Sequence, residues 1–129
     1  MGTRRFRDGR AVLLCEGKPV APVEIAASYR ARTRGLLGRD GIEGAILLTP
    51  SASVHTMRMR FPIDVAYLGR DLRVLSVVQM RPNRLGMLRF RARHVLEAEW
   101  GALAEWGVRP GVQLGIADPT KGRDGVTRG

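Results

Sequence analysis

The stretch Leu88-Arg89-Phe90-Arg91-Ala92-Arg93-His94-Val95-Leu96-Glu97-Ala98-Glu99-Trp100 alternates an apolar series at even positions with a mostly charged series at odd ones. A period of two is the repeat of a β-strand, whose successive side chains leave opposite faces, whereas a helix repeats about every 3.6 residues. The pattern predicts a strand from His94 to Trp100, and over the whole run it turns Leu88, Phe90, Ala92, His94, Leu96, Ala98 and Trp100 to a core. Arg89, Arg91, Arg93, Glu97 and Glu99 are expected on the wet face.

Similar short runs recur on both sides: Ala45 to Thr49, Val54 to Met59, Ile63 to Leu68, Arg73 to Met80 and Val112 to Ile116. Gly, Pro, Asn or Asp punctuate nearly every gap, which is the pattern of a sandwich or barrel of short strands. Ala11 to Cys15 and Val20 to Ala27 flank Glu16-Gly17-Lys18-Pro19 and read as a hairpin. Ser28 is a suitable N-cap for a helix reaching to about Leu37, with Tyr29, Thr33, Leu36 and Leu37 on one face. Gly35 weakens that helix, and Gly38 and Gly41 end it; Gly101 to Val108 reads as a brief helical turn. The expected fold is mainly β: a compact sandwich or distorted barrel of short, mostly antiparallel strands with one short helix near residues 29–37. Residues 11–116 form its single domain, between a flexible basic tail at 1–10 and a second flexible tail at 117–129.

A chain of 129 residues fits one domain and buries about two thirds of its unfolded surface, so it folds without staples. The single cysteine, Cys15, sits in an apolar strand, where it is expected to be buried and inert; it has no disulfide partner and no neighbouring zinc ligand. The apolar run after the basic N-terminus is too short for a secretory core or a membrane span, so a cytoplasmic protein without membrane contact is expected, monomeric or weakly homo-oligomeric. The 22 basic and 12 acidic residues leave a formal charge of +10, with lysine only at Lys18 and Lys121. Such a field attracts polyanions. Arg81, Arg84, Arg89, Arg91 and Arg93 are the candidate nucleic-acid residues, although a stripe of alternating arginines is also what a solvated strand face looks like.

The run His55-Thr56-Met57-Arg58-Met59-Arg60-Phe61-Pro62-Ile63-Asp64-Val65 places ionisable groups inside an apolar pattern. Burying such groups costs several kcal/mol unless they are paired or hydrogen-bonded, roughly 2 to 7 for a neutral polar group and more for a charge. Asp64 lies among Ile63, Val65, Ala66, Tyr67 and Leu68 and therefore needs a partner, with Arg60, Arg32 and Arg34 as candidates for a bidentate pair. His55 falls with Met57, Met59 and Phe61 on an apolar face, as a core histidine or a general base; His94 also falls on an apolar face and reads as a core histidine. No His-x-His or other close ligand spacing is present, so no metal is expected. Ser51 and Ser53 have no nucleophile elbow around them, and the glycines at 35, 38, 41 and 44 form no Walker or dinucleotide pattern, so no cofactor is expected either.

Three blocks together resemble a known family: Arg32-Thr33-Arg34-Gly35-Leu36-Leu37-Gly38-Arg39, the run from His55 to Val65, and Val95-Leu96-Glu97 with Gly101, Gly107 and Gly111. In this order they are similar to the domain of unknown function 192 family of small prokaryotic proteins, over about Val23 to Ile116. The resemblance implies a compact, mainly β domain with a short helix, and no established activity. Its pattern falls on Arg32, Gly35, Leu36 and Arg39, on Met59, Arg60, Pro62 and Asp64, and on Val95, Leu96, Glu97 and Gly101. The chain departs from it at Arg58, where family members often carry an aromatic residue, and at Val112, where many carry an acidic one.

Three functional classes follow. One is a binding or accessory domain in which Arg32, Arg39, Arg60, Asp64 and Glu97 hold a polar or anionic small ligand or a partner. Another is nucleic-acid binding through the arginine-rich strand face. The last is a small hydrolase or lyase using His55 and Asp64.

Overall fold

The computed structural model describes residues 6–86 and 88–118. The remainder of the two expected tails, residues 1–5 and 119–129, lies outside the described residues. The strands are β1 (Gly9–Cys15), β2 (Lys18–Ala26), β3 (Ala45–Leu48), β4 (Ile63–Leu68), β5 (Val74–Met80), β6 (His94–Glu99) and β7 (Leu114–Ala117). Two short helices, α1 (Tyr29–Arg34) and α2 (Ala102–Glu105), complete the order. The strands form one mixed, mostly antiparallel sheet in the order β5-β4-β6-β3-β2-β1-β7, curled into a half-barrel. Only β2 and β3 pair in parallel. No helix among the described residues is long and apolar enough to cross a membrane.

Local chemistry accounts for the opening elements. β1 and β2 meet across Glu16 and Gly17, both at positive φ (51° and 83°), as a two-residue hairpin turn of right-handed strands requires. β1 begins at Gly9, inside the stretch expected to be a tail, because Gly9 and Arg10 pair with Ile25 and Glu24. Asp8 just before it accepts hydrogen bonds from the Ala27 and Ser28 amides at 2.6 and 2.8 Å and from the Ser28 hydroxyl. Ser28 in turn caps α1 by accepting from the Ala31 amide at 3.1 Å. The helix is shorter than expected: Gly35 takes a positive φ of 44° and ends it, and Leu36 and Leu37 continue as turns. Tyr29 stays 78% exposed, so the apolar contact of this segment comes from the buried Leu36 beyond the helix.

The curl separates two apolar clusters. The concave side gathers Leu13, Val23, Leu47, Leu68, Val74, Leu96, Leu103 and Leu114, which come from strands at both ends of the sheet. Backbone bonds draw those ends together: Val74 donates to Val112 at 2.9 Å, and Arg73 bridges Gln113. The convex side carries Ile46, Leu48, Ile63, Val65, Tyr67 and Val95, covered by Leu36, Val54, Met59 and Phe61. Both faces of the central strands are therefore dry, and β4 is buried at every position.

One predicted strand is lost as a result. The run Val54 to Met59 is irregular, and its only β-pairing among the described residues is the isolated bridge His55 to Leu85. Thr56 is the cause: its hydroxyl donates to Arg81 O at 2.6 Å and accepts from the Arg84 amide at 2.8 Å, while its own amide donates to Arg84 O at 2.8 Å. This fully buried residue staples the 51–59 loop to the 81–84 turn, so Thr56 and Met59 face inward while His55 and Met57 face out. The strand expected from His94 to Trp100 is β6, but the alternation read from Leu88 does not extend it: Arg89, Arg91 and Arg93 precede it in a loop and share no strand face, and Leu88 and Phe90 are exposed. Gly86 lets that loop descend on β4, for a Cβ there would lie 2.6 Å from the Tyr67 hydroxyl and 2.7 Å from Val54.

Asp64, 2% exposed, has its partner, but not an arginine. Its carboxylate accepts from Gln79 Nε2 at 2.9 Å and from the Gly101 and Leu103 amides at 3.0 and 3.1 Å. The amides belong to the start of α2, whose unpaired N–H groups favour a negative charge. Asp64 thereby ties α2 and its Leu103 to the concave core. Asp64→Ala leaves those amides buried without acceptors and is expected to lower the unfolding free energy by about 3 kcal/mol. Urea denaturation checks this, and a loss below about 1 kcal/mol would contradict the assigned role.

Candidate functional site

A cavity of about 120 Å³ lies on the convex side, between the α1 segment, the 51–59 loop and β6. Its floor is Glu97, its walls include Leu36, Leu48, Val54 and Met59, and its rim carries Arg32, Arg34 and His55. Glu97 reaches this place through strand register. On β6 it stands opposite Ile46 of β3 and Val65 of β4, both in the convex cluster. The expectation that odd positions of this strand are wet holds for Glu99 and fails for Glu97, because helix and loop cover the convex face at that point.

Glu97 is 4% exposed and makes no hydrogen bond or ion pair among the described residues. Burial pushes its carboxyl up to about 7, so near neutral pH it holds its proton about half the time. Tyr67, on the same face of the neighbouring strand, is also shifted upward, chiefly by burial, and Glu97 adds to the shift. The Arg89 guanidinium lies 5.0 Å above the Tyr67 ring and offsets part of that shift, but neither the Tyr67 hydroxyl nor Arg89 Nε has a well-formed hydrogen bond. Buried polar groups are nearly always satisfied, so this concentration on one face marks it as unusual.

The rim cations differ in how far they are committed. Arg32 Nη1 donates to Ala27 O at 2.7 Å, which orients the side chain across the end of α1. The Arg34 side chain makes no hydrogen bond or ion pair among the described residues. Neither comes within salt-bridge distance of Glu97, although all three line one cavity. His55 is exposed at the mouth, correcting its expected place in the core. His94 is the buried histidine: Nδ1 lies 2.7 Å from Thr49 Oγ1 and Nε2 3.3 Å from Arg70 O, and burial lowers its pKa.

The other candidates are placed elsewhere. Arg39 forms a bidentate pair with Glu24 at 2.9 and 3.1 Å, and Arg60 pairs with Asp40 at 3.1 Å on the open surface. Asp64 stands opposite Ala98 on the concave side, so it and His55 lie on opposite faces of the sheet and form no catalytic pair. Of the five arginines read as a nucleic-acid stripe, Arg81 stacks over Trp100 at 5.4 Å, Arg89 covers Tyr67, and Arg93 donates to Phe90 O and Ala92 O. Arg84 donates weakly to Pro82 O and Asn83 O, both at 3.4 Å. Among the described residues no three of His, Cys, Asp and Glu converge as a metal site. Arg34, Ser51, Ser53 and Met59 are among the lining residues absent from the expected site. Two of them carried a signal: Arg34 as a cation in the Arg32 to Arg39 block, and Met59 as a position of the family pattern.

A curled mixed sheet with a polar-floored cavity under one short helix defines a small single-domain β protein. The chain belongs to the DUF192 family, described as "Uncharacterized ACR, COG1430", whose model matches residues 12–116. It is 31% identical to the UPF0127 protein PH1112 of Pyrococcus horikoshii over 84 residues, covering 61% of this chain and 73% of that protein. Its fold is similar to that of a Sinorhizobium meliloti protein provisionally described as a transcription regulator, with TM-score 0.72, 18% identity, and coverage of 88% of this chain and 98% of that one. A protein of unknown function from Novosphingobium aromaticivorans is also similar, with TM-score 0.69, 21% identity, and coverage of 81% and 83%.

Glu97 also gives the protein a pH signature. Its carboxyl is raised in the folded chain from the ordinary 4.5, so the unfolded chain loses its proton first and stability falls as pH rises from 4.5 to about 7, then levels off. The full loss is about 3 kcal/mol for a shift of this size. His94 acts in the opposite sense: its lowered pKa removes stability as pH falls below the ordinary 6.5. The Glu97→Gln variant isolates the first effect. Relative to the wild type it is expected to gain stability steadily from pH 5 to pH 8 in urea titrations, and a constant difference would show that Glu97 is not buried as described.

Proposed function

We propose that this protein is a binding domain that takes a polar or anionic small ligand into the cavity between the α1 segment, the 51–59 loop and β6. The observation that carries this reading is Glu97, a buried carboxyl with no partner, facing a space that other residues leave open. A carboxyl kept only for the fold would be expected to have donors, as Asp64 does. An unsatisfied one is complementary to something that arrives.

The remaining geometry supports the same reading. Arg34 and the uncommitted part of Arg32 supply positive charge at the rim, and Leu36, Leu48, Val54 and Met59 give the apolar walls typical of small-ligand sites. Cavities of about 150 Å³ take up benzene, so a space of about 120 Å³ suits a ligand of only a few heavy atoms. The alternatives have weaker support. His55 and Asp64 are separated by the sheet, and the arginines from Arg81 to Arg93 share no strand face, with Arg81 and Arg89 stacked on rings and Arg93 bonded to backbone carbonyls.

A thermal-shift screen with small polar metabolites tests the proposal. At least one compound is expected to raise the Tm of the wild type by several degrees, as ligand linkage requires, and Glu97→Gln is expected to lose the rise while keeping an equal or higher Tm of its own. Hits that persist unchanged in Glu97→Gln, or no hit at all, would overturn the cavity as the binding site.

A further inference from the structure

We infer that the ligand of this cavity is a small zwitterion of the amino-acid class, with its ammonium group docked on Glu97 and its carboxylate held by Arg34 and Arg32. The inference rests on the site proposed above and specifies the chemistry it selects. The cavity is bipolar: a carboxyl forms the floor, guanidinium groups stand at the rim, and the two poles do not meet within salt-bridge distance. Opposite charges that share a cavity without touching would ordinarily close on each other, since a buried ion needs a counter-charge. Here α1 holds them apart. Arg32 is anchored on Ala27 O, and Arg34 belongs to the last turn of a helix whose cap is set by Ser28 and Asp8.

A ligand that satisfies both poles carries a donor cation at one end and a carboxylate at the other. A monoanion such as acetate would pair with the rim and leave Glu97 unsatisfied. A monocation such as methylammonium would pair with Glu97 and leave Arg34 unpaired. The limited volume admits only a short molecule between the poles, and the apolar walls accommodate its methylenes or methyl group. Docking an ammonium favours the ionised carboxyl, so uptake releases the proton that Glu97 carries in the free protein.

The groups facing Glu97 define how pH acts. They are Arg32 and Arg34 from α1, His55 from the loop, Tyr67 from β4 with Arg89 above it, and Glu99 two residues along β6. His55 stands at the mouth of the same cavity, so His55→Gln is the control that separates its effect from that of Glu97.

The experiment compares β-alanine, L-alanine and 4-aminobutyrate with acetate and methylammonium at equal concentration, by thermal shift and by calorimetry at pH 6 and pH 8. At least one zwitterion is expected to raise Tm by more than acetate and methylammonium combined, with an affinity severalfold higher at pH 8 than at pH 6, in the wild type and in His55→Gln alike. Glu97→Gln is expected to reduce the zwitterion response to that of acetate, and Arg34→Ala, an exposed substitution, to that of methylammonium. A zwitterion response no greater than that of acetate, or one fully retained in Glu97→Gln, overturns the inference. If the metabolite screen still yields Glu97-dependent hits in that case, the cavity remains the binding site and only the ligand class is wrong; if those hits are also insensitive to Glu97, both readings fall.

Discussion

The pairing register between β4 and β6 governs both the scaffold and the site. Asp64 stands opposite Ala98 and Val65 opposite Glu97, so the two buried carboxyls leave the sheet on opposite faces. A slip of one residue would exchange every side chain of a strand between faces. In the observed register Asp64 meets the amides of Gly101 and Leu103 on the concave side, while Glu97 meets an open cavity on the convex side. Two acidic residues of central strands thus have opposite fates. One ties α2 to the sheet, and the other floors a cavity.

That contrast carries an energetic argument. A buried group with complete hydrogen bonding contributes to folding, whereas one without partners detracts from it, by an amount comparable to the total margin of a small domain. Glu97 is therefore a local cost that the fold does not need. Apolar residues on either side, Ile46 and Val65, show what the convex face would hold if packing were its only purpose. Places where a sequence departs from the locally stable choice are where function is expected to reside.

The formal charge of +10 has a more ordinary explanation than a polyanion surface. Arg39 and Arg60 are matched by Glu24 and Asp40, Arg81 and Arg89 lie over aromatic rings, and Arg32 and Arg93 bond backbone carbonyls. Arginine suits these tasks because its planar fork donates in several directions and stacks on rings. Composition counts the charges and cannot say which are already engaged.

The local pattern was enough to establish a β fold of short strands, the Glu16-Gly17 hairpin, the Ser28 cap and the blocks that mark the family, because each depends on residues close in the chain. The need of Asp64 for a partner was also legible, since its neighbours are all apolar. Its partners were not: Gln79, Gly101 and Leu103 lie 15, 37 and 39 residues away. The charged face of the last long strand misled for the same reason. Alternation tells which residues share a face and not what covers it, and only tertiary packing laid α1 and the Thr56-stapled loop over Glu97. Sequence determined the strands and their periodicity; the closing of the sheet decided which carboxyl gained donors and which was left facing a cavity, because burial and hydrogen bonding are properties of the assembled surfaces.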